Sequence, residues 1–405
     1  MAALTVAGLT ATLVVGEPTP SESSTTPSSQ PSPEAATNRV QNSGLVPTGH
    51  PRTESGAKAA AANYAVMEGS FAYLTNARAR HKMIAATAAL SAREPLTKKA
   101  DLTAEREAAG LKGGQARYNP ATAIARTGVL SAHTLGFDIH KATVRLWTTA
   151  VRGNAAGSVA PQATFRSVTV TLIWESNDWK LTSTSETPGL VAPIDFRQST
   201  SVNRDFADYA PKMASDPVMS GAAGPDGFPA PYDRTEQGAR AAATSASMLY
   251  GDSRFFTDTS WRHRMLASTA APEVLATTRS ETDSTAQMVS ENRGLDEAGR
   301  TADGGLLVTR TAVLATRKIS YSDQAASVEL WTASVGGIAG GDEAQRPQVA
   351  YLRMTVDLVW ADGTWRTTAV TPSDPLVPAP SSASQVTPAS RFAEVGGVSD
   401  APATA

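Results

Sequence analysis

The stretch Val168-Thr169-Val170-Thr171-Leu172-Ile173-Trp174-Glu175-Ser176-Asn177-Asp178-Trp179 decides the fold. Val168, Val170, Leu172 and Trp174 alternate with Thr169, Thr171 and Ile173. Period two with one apolar face describes a strand of an antiparallel sheet packed on one side. Asn177-Asp178 is a tight-turn signal, and Trp179 opens the returning strand. The pattern recurs 186 residues later: Met354, Val356, Leu358 and Trp360, the turn pair Asp362-Gly363, then Trp365. Each occurrence is a hairpin of the form V-x-L-x-W-turn-W.

Working outward, the two hairpins end two copies of one domain. At an offset of 182, GAKAAAANYA (from Gly56) meets GARAAATSAS (from Gly238), and Arg80-His81-Lys82-Met83 meets Arg262-His263-Arg264-Met265. At 184, Arg126-Thr127-Gly128-Val129-Leu130 meets Arg310-Thr311-Ala312-Val313-Leu314, and Trp147 meets Trp331. At 186, Trp174 meets Trp360, Trp179 meets Trp365, and Leu190-Val191 meets Leu376-Val377. The domains run 56–196 and 235–380, joined by a Gly/Pro-rich linker, 197–234.

Each copy opens with helix. Tyr64, Met67, Phe71 and Leu74 follow one helical face, with Leu249 and Phe256 on the matching face of copy two. Asn76 and Asp258 are N-cap residues of a second helix. A third short helix is expected around Thr103–Ala109, where copy two has a short polar region. Ala125–Phe137 and Thr143–Val151 read as strands. The fold class is α+β: two tandem cone-shaped domains, each with N-terminal helices packed on a curved antiparallel sheet.

The ends have a different character. Residues 1–16 hold an apolar run, Ala2–Val15, with no basic residue before it. It reads as a signal-peptide core, a clipped signal anchor whose start lies upstream, or a non-functional end; the stalk-like stretch that follows favours the clipped anchor. Residues 17–55 are dominated by Pro, Ser and Thr, and residues 381–405 are similarly poor in apolar period. Such segments bury too little to offset roughly 1–2 kcal/mol of backbone entropy per residue, so a disordered linker and a disordered tail are expected.

Composition narrows the chemistry. The 405 residues contain no cysteine, which excludes disulfides, thiolate metal sites and cysteine nucleophiles. A formal net charge of −2 argues against a dedicated nucleic-acid binder. Arginine outnumbers lysine 27 to 9, a GC-rich coding bias of the actinobacterial kind.

The order of helices, curved sheet and W-turn-W hairpin resembles the nuclear-transport-factor-two-like (cystatin-like) cone fold. With an apolar segment, a stalk and tandem copies, the layout resembles the TcpC family of conjugation proteins. That family is related to the periplasmic scaffold subunit of VirB-type secretion systems. The resemblance implies a non-enzymatic, extracytoplasmic scaffold at the cell membrane, anchored by its N-terminal segment and assembling with other membrane or transfer-machine proteins. It also suggests self-association. The Asn-Pro-x-Gly motif of those relatives is met only by Asn119-Pro120, so no contact surface carries over. Two other readings stand beside it: a small-ligand-binding module, and an isomerase- or hydrolase-like enzyme in the cone. A cone filled by Trp and Leu would remove both; an open cone lined by Asp, His or Tyr would favour the enzyme.

No catalytic residue, cofactor site or metal site is assigned. His81 and His263 recur, but their cationic neighbours disfavour protonation and make each a poor general acid, so a structural or surface role is expected. His50, His133 and His140 have no zinc-helix spacing with them. Gly336–Gly341 reads as a mobile hairpin loop. The basic positions Arg78, Arg80, Lys82, Arg262 and Arg264 are the candidate partner-binding residues; a solvated helix face is the alternative. Trp147, Trp174, Trp179, Trp331, Trp360 and Trp365 are read as structural core. Each removes about 150–250 Å² when buried, at most about 4–6 kcal/mol. Loss of Trp147 or Trp331 is expected to unfold its own domain first.

Overall fold

The computed structural model describes residues 41–42, 46–198, 205–224, 227–229, 231–380 and 385–405. The apolar run at 2–15 and most of the stalk lie outside the described residues. Among the described residues no helix is long and apolar enough to cross a membrane.

The first domain comprises helices α1 (Glu54–Glu68), α2 (Phe71–Thr75), α3 (Ala77–Thr87) and α4 (Arg93–Glu107), then strands β1 (Ala123–Phe137), β2 (Lys141–Asn154), β3 (Gln162–Glu175) and β4 (Asp178–Pro188). The second repeats the order: α5 (Glu236–Tyr250), α6 (Arg254–Thr257), α7 (Thr259–Thr269) and α8 (Leu275–Arg293), then β5 (Leu306–Tyr321), β6 (Ala325–Ala339), β7 (Gln348–Ala361) and β8 (Thr364–Ser373). The four long strands of each domain form an antiparallel meander in chain order, and Ala379–Pro380 adds a short parallel pairing to Gln162 and Ala163 of the first sheet. The α+β class and the tandem cones are therefore as expected. Register shifts fall at Val129/Ser131 and Thr134/Gly136 in β1, and at the equivalent Val313/Ala315 and Lys318/Ser320 in β5. Such bulges bend a strand, and here they curl each sheet around its helices.

Local sequence explains the helix ends. Thr53 and Thr235 accept the amides of Gly56 and Gly238, both at 3.0 Å, opening α1 and α5. Asn76 and Asp258 cap α3 and α7 as expected, accepting from Ala79 and Trp261 at 3.0 and 2.8 Å. The apolar face expected from Tyr64 to Leu74 is split between α1 and α2. The break falls at Gly69, where a Cβ would lie 2.0 Å from Thr127 Oγ1 of the sheet; at the equivalent Gly251 the distance to Thr311 Oγ1 would be 2.3 Å. The short third helix is a full helix in both copies. In α8 the inward stripe is Thr278, Thr282, Ala286 and Val289. Threonine and alanine carry that stripe, so hydropathy hides its period.

Three further expectations change. The hairpin turn is Ser176-Asn177, both left-handed (φ 53 and 58), matching Asp362-Gly363 (φ 51 and 75). Asp178 is thereby the first residue of β4 and is buried. Gly336 and Gly337 lie within β6 and not in a loop. The packed chain also exceeds the expected boundaries: Val46 and His50 are buried, as are Phe206, Tyr209 and Met219 in the linker and Phe392 and Ala405 in the tail.

The described part of the tail is not loose because it repeats the linker. Phe206-Ala207-Asp208 and Phe392-Ala393-Glu394 stand 186 residues apart, and Ser215-Asp216 and Ser399-Asp400 stand 184 apart. Each segment crosses to the other domain. Phe206 and Tyr209 pack on Trp331 at 5.8 and 5.2 Å between ring centroids, and Phe392 packs on Trp147 at 5.8 Å. Arg126 binds the first arm through the carbonyls of Tyr209 and Ala214 and the carboxylate of Asp216. Its equivalent, Arg310, donates to the carbonyl of Gly397 in the second. The arms then return: Asn63 Oδ1 accepts the Met219 amide at 2.8 Å, and Ser245 Oγ donates to the Ala405 carbonyl at 3.0 Å. Where β1 meets β5, a Cβ on Gly128 would lie 2.9 Å from the Cβ of its own equivalent, Ala312. Position i touching j while j's equivalent touches i's is the signature of two-fold packing, here within one chain.

The six tryptophans that recur between the copies are in or against the core, in two roles, and the seventh, Trp261, is buried in the second domain. Trp179 and Trp365 pack under the helices, each in a T-shaped pair with Trp174 or Trp360 at 5.4 and 5.5 Å. Trp174 and Trp360 are half-buried, each beneath a guanidinium, Arg52 or Arg234. Trp147 and Trp331 belong instead to the core shared between the domains. Phe392→Ala should therefore cost about 3–5 kcal/mol and lower the unfolding midpoint of the whole chain in urea. A separate early transition confined to one domain would contradict this packing.

Candidate functional site

The recurring histidines do not face the cones. His81 Nε2 lies 3.0 Å from both oxygens of Asp101, and Arg80 donates to the same carboxylate and to the Tyr73 carbonyl. Copy two repeats the arrangement with His263, Arg262, Asp283 and the Phe255 carbonyl. Burial would raise each aspartate, yet the guanidinium and imidazole beside it hold it below its usual range. These clusters tie the short second helix of each domain to the third and fourth. Arg80 and Arg262 are buried at 6% and 3% exposure, so as docking residues for a partner they are ill placed. Arg78, Lys82 and Arg264 are exposed.

His133 pairs with Asp400 of the second arm, and His140 with Arg52. His50 is fully buried and sits in a network of its own domain. Asn63 Nδ2 donates to His50 Nε2 at 2.9 Å, which leaves Nδ1–H to donate to Asp178 at 2.8 Å. Lys180 Nζ reaches the other Asp178 oxygen at 3.0 Å. Burial pushes Asp178 up, but the His50 bond and the Lys180 charge outweigh it and hold the carboxyl at about 2. In copy two the corresponding contact is the Tyr232 amide donating to Thr364 Oγ1 at 3.0 Å. The network ties the segment before α1 to the start of β4, and its buried, mutually satisfied groups are structural.

The feature with chemical potential is a cavity of about 270 Å³ between the helices and sheet of the first domain. Glu68, the last residue of α1, lines it with Tyr73 of α2, Lys99, Arg106 and Glu107 of α4, Arg152 of β2, Arg166 of β3 and Glu186 of β4. Burial pushes the Glu68 carboxyl up to about 7; the Glu186 charge adds to this and Lys99 opposes it. Glu68 has no hydrogen bond or ion pair to the described residues, while Lys99 is committed to Thr184 O and Oγ1 at 2.6 and 3.0 Å. Arg152 and Arg166 approach the single Glu107 at 3.7 and 3.9 Å, beyond hydrogen-bond range. Burial lowers the Arg152 guanidinium from its usual value, and its Nε has no partner.

None of these cavity residues was singled out from the sequence. The available signal was a mismatch between the copies. Glu68, Arg152, Arg166 and Glu186 correspond to Tyr250, Gly336, Leu352 and Pro372. The equivalence is fixed by register: Arg152 pairs Ala125 as Gly336 pairs Thr309, and Arg166 pairs Thr148 as Leu352 pairs Thr332. Tyr250 packs edge-on against Phe255 at 5.1 Å, beside an apolar cluster containing Leu249, Phe256, Leu307 and Ile338. The second cone is filled where the first is open and charged. Among the described residues, no group of three or more His, Asp or Glu side chains could hold a metal ion.

No family model matches the chain, and no curated protein matches it. A solved structure described as an "Ntf2 like protein involved in plasmid conjugation" matches over 79% of this chain and 98% of that one, at 9% identity and a TM-score of 0.19. At that level the match describes the neighbour and carries no argument about the activity of this chain.

The Asp178 network gives a pH prediction. A carboxyl held near 2 in the folded state and near its ordinary value when unfolded stabilises the fold above about pH 4. The contribution, about 2 kcal/mol, is lost as pH falls from about 4 to 2. Asp178→Asn should lower the urea midpoint at pH 7 and flatten its decline between pH 4 and 2. An unchanged acid limb would contradict this.

Proposed function

We propose that the chain is a non-enzymatic scaffold, an extracytoplasmic assembly subunit of a conjugative, type IV secretion-like transfer machine. The observation that carries the scaffold reading is the reciprocal exchange of arms, which makes two domains one block with a fixed spacing between its outer surfaces. The conjugative setting rests on the sequence layout, whose tandem cones, stalk and apolar segment resemble TcpC-like and VirB-type scaffolds. In this reading the segment at 1–16 holds the protein at the membrane. Arg78, Lys82 and Arg264 meet acidic surfaces of other transfer proteins. An enzyme of this fold needs an acid or base oriented by a second group. Glu68, the free acid of the cavity, has no such partner among the described residues, and the carboxylate-paired histidines His50, His81, His133 and His263 do not line that cavity.

Deletion of the gene from its host should abolish conjugative transfer, with recovery on complementation by the natural sequence. The triple reversal Arg78→Glu, Lys82→Glu, Arg264→Glu should fold normally by circular dichroism and fail to restore transfer. Undiminished transfer after deletion would contradict the reading; restoration by the triple variant would remove the basic surface from it. A small-ligand-binding role is favoured by a separate observation, the open first cone.

A further inference from the structure

We propose that the first cone binds a small organic monocarboxylate, its carboxylate held by Arg152 and Arg166 and its apolar body lying against Leu74, Leu96, Ala100 and Val168. This goes beyond the scaffold reading and does not depend on it. The first support comes from the internal duplication. The second domain builds the same helices, sheet register and bulges with Tyr250, Gly336, Leu352 and Pro372 at the positions of Glu68, Arg152, Arg166 and Glu186. The fold does not require those charges, and a charge in a half-buried cavity is costly without compensation. Their concentration around one cavity of about 270 Å³ is therefore a feature of that cavity and not of the architecture.

The second support is the charge arithmetic of the lining. Lys99, Arg106, Arg152 and Arg166 supply four cations, against the three carboxyl groups of Glu68, Glu107 and Glu186. The excess is one positive charge with all three ionised. Two guanidinium groups share Glu107 at distances too long for hydrogen bonds, so both retain donors. A planar carboxylate suits a guanidinium fork and would take those donors. One negative charge neutralises the lining with Glu68 ionised and leaves one cation in excess with it protonated, so charge admits a monoanion and the apolar wall is what sets it apart from inorganic phosphate. The apolar wall of Leu74, Leu96, Ala100, Ala104, Ala150 and Val168 requires a hydrocarbon body on the ligand.

Binding is linked to a proton. Glu68 faces Tyr73 from α2, Lys99, Arg106 and Glu107 from α4, Arg152 from β2, Arg166 from β3 and Glu186 from β4. An anion in the cavity repels the ionised Glu68 carboxylate and favours its protonated form. Burial pushes that carboxyl up to about 7, so affinity is expected to rise as pH falls through neutrality. If only the protonated form binds, the gain from pH 8 to pH 6 is about tenfold.

The test is calorimetric titration of the full chain with isovalerate, hexanoate, benzoate and phenylacetate, each beside its neutral amide. At least one acid should bind and raise the thermal midpoint, its amide should not, and its affinity should show the pH dependence above. Glu68→Gln should bind with a pH-independent affinity. Arg152→Met and Arg166→Leu should each weaken binding about tenfold or more. Arg166→Leu carries the residue of the sister domain, so its fold is expected to be intact. The proposal is overturned by equal binding of acid and amide, by no binding of any acid at ~10 mM, or by a pH slope that survives Glu68→Gln.

Discussion

Trp147 and Trp331 stand on faces of their sheets that no helix of their own domain covers. Everything beyond the individual cones depends on how those faces are closed. A curved sheet with helices on one side leaves its back exposed, and a large indole there would be an apolar patch of the kind that drives association. The chain closes each face with the arm that follows the other domain: Phe206 and Tyr209 on Trp331, Phe392 on Trp147. The indole N–H groups are satisfied locally, by the Leu190 and Leu376 carbonyls at 2.9 and 3.0 Å. With no cysteine anywhere, this shared apolar core performs the joining that a disulfide could otherwise do.

The sequence reading succeeded where period and repetition coincide. The V-x-L-x-W-turn-W hairpins, the caps Asn76 and Asp258 and the tandem α+β cones were legible because each rests on local chemistry stated twice. The misses have physical causes. The turn was misplaced by one residue because Asn177 and Asp178 are both turn formers, and only burial of Asp178 with His50 distinguishes them. Helix α8 was hidden because threonine and alanine fill its inward face. The second arm reads as loose because its apolar content is low, and the role of both arms is hidden because the aromatic rings they meet lie more than a hundred residues away. The short echo of Phe206-Ala207-Asp208 in Phe392-Ala393-Glu394 was the available clue.

The candidate site was less legible than the fold, for the opposite reason. Repetition reveals what the architecture needs, and the cavity is defined by what the architecture does not need. Glu68, Arg152, Arg166 and Glu186 appear only once in the duplication. Their significance emerges when strand register sets each beside its uncharged counterpart. The recurring Arg80-His81 and Arg262-His263 blocks turned out to be fixtures between helices, as recurrence in a duplicated fold suggests. The copies therefore differ at this one site: Tyr250 and its apolar neighbours occupy it in the second domain, while the first keeps a charged cavity, and both domains are held in one body.

The claim that the domains form one body is tested most directly by the distance distribution between them. The absence of natural cysteines makes paired spin labels clean, and the exposed Leu102 on α4 and Met288 on α8 offer one site on each domain. Double electron–electron resonance on the full chain should give a single narrow distance. The double variant Phe206→Ala, Phe392→Ala should broaden it. A broad distribution in the natural sequence, no wider in the double variant, would contradict the account.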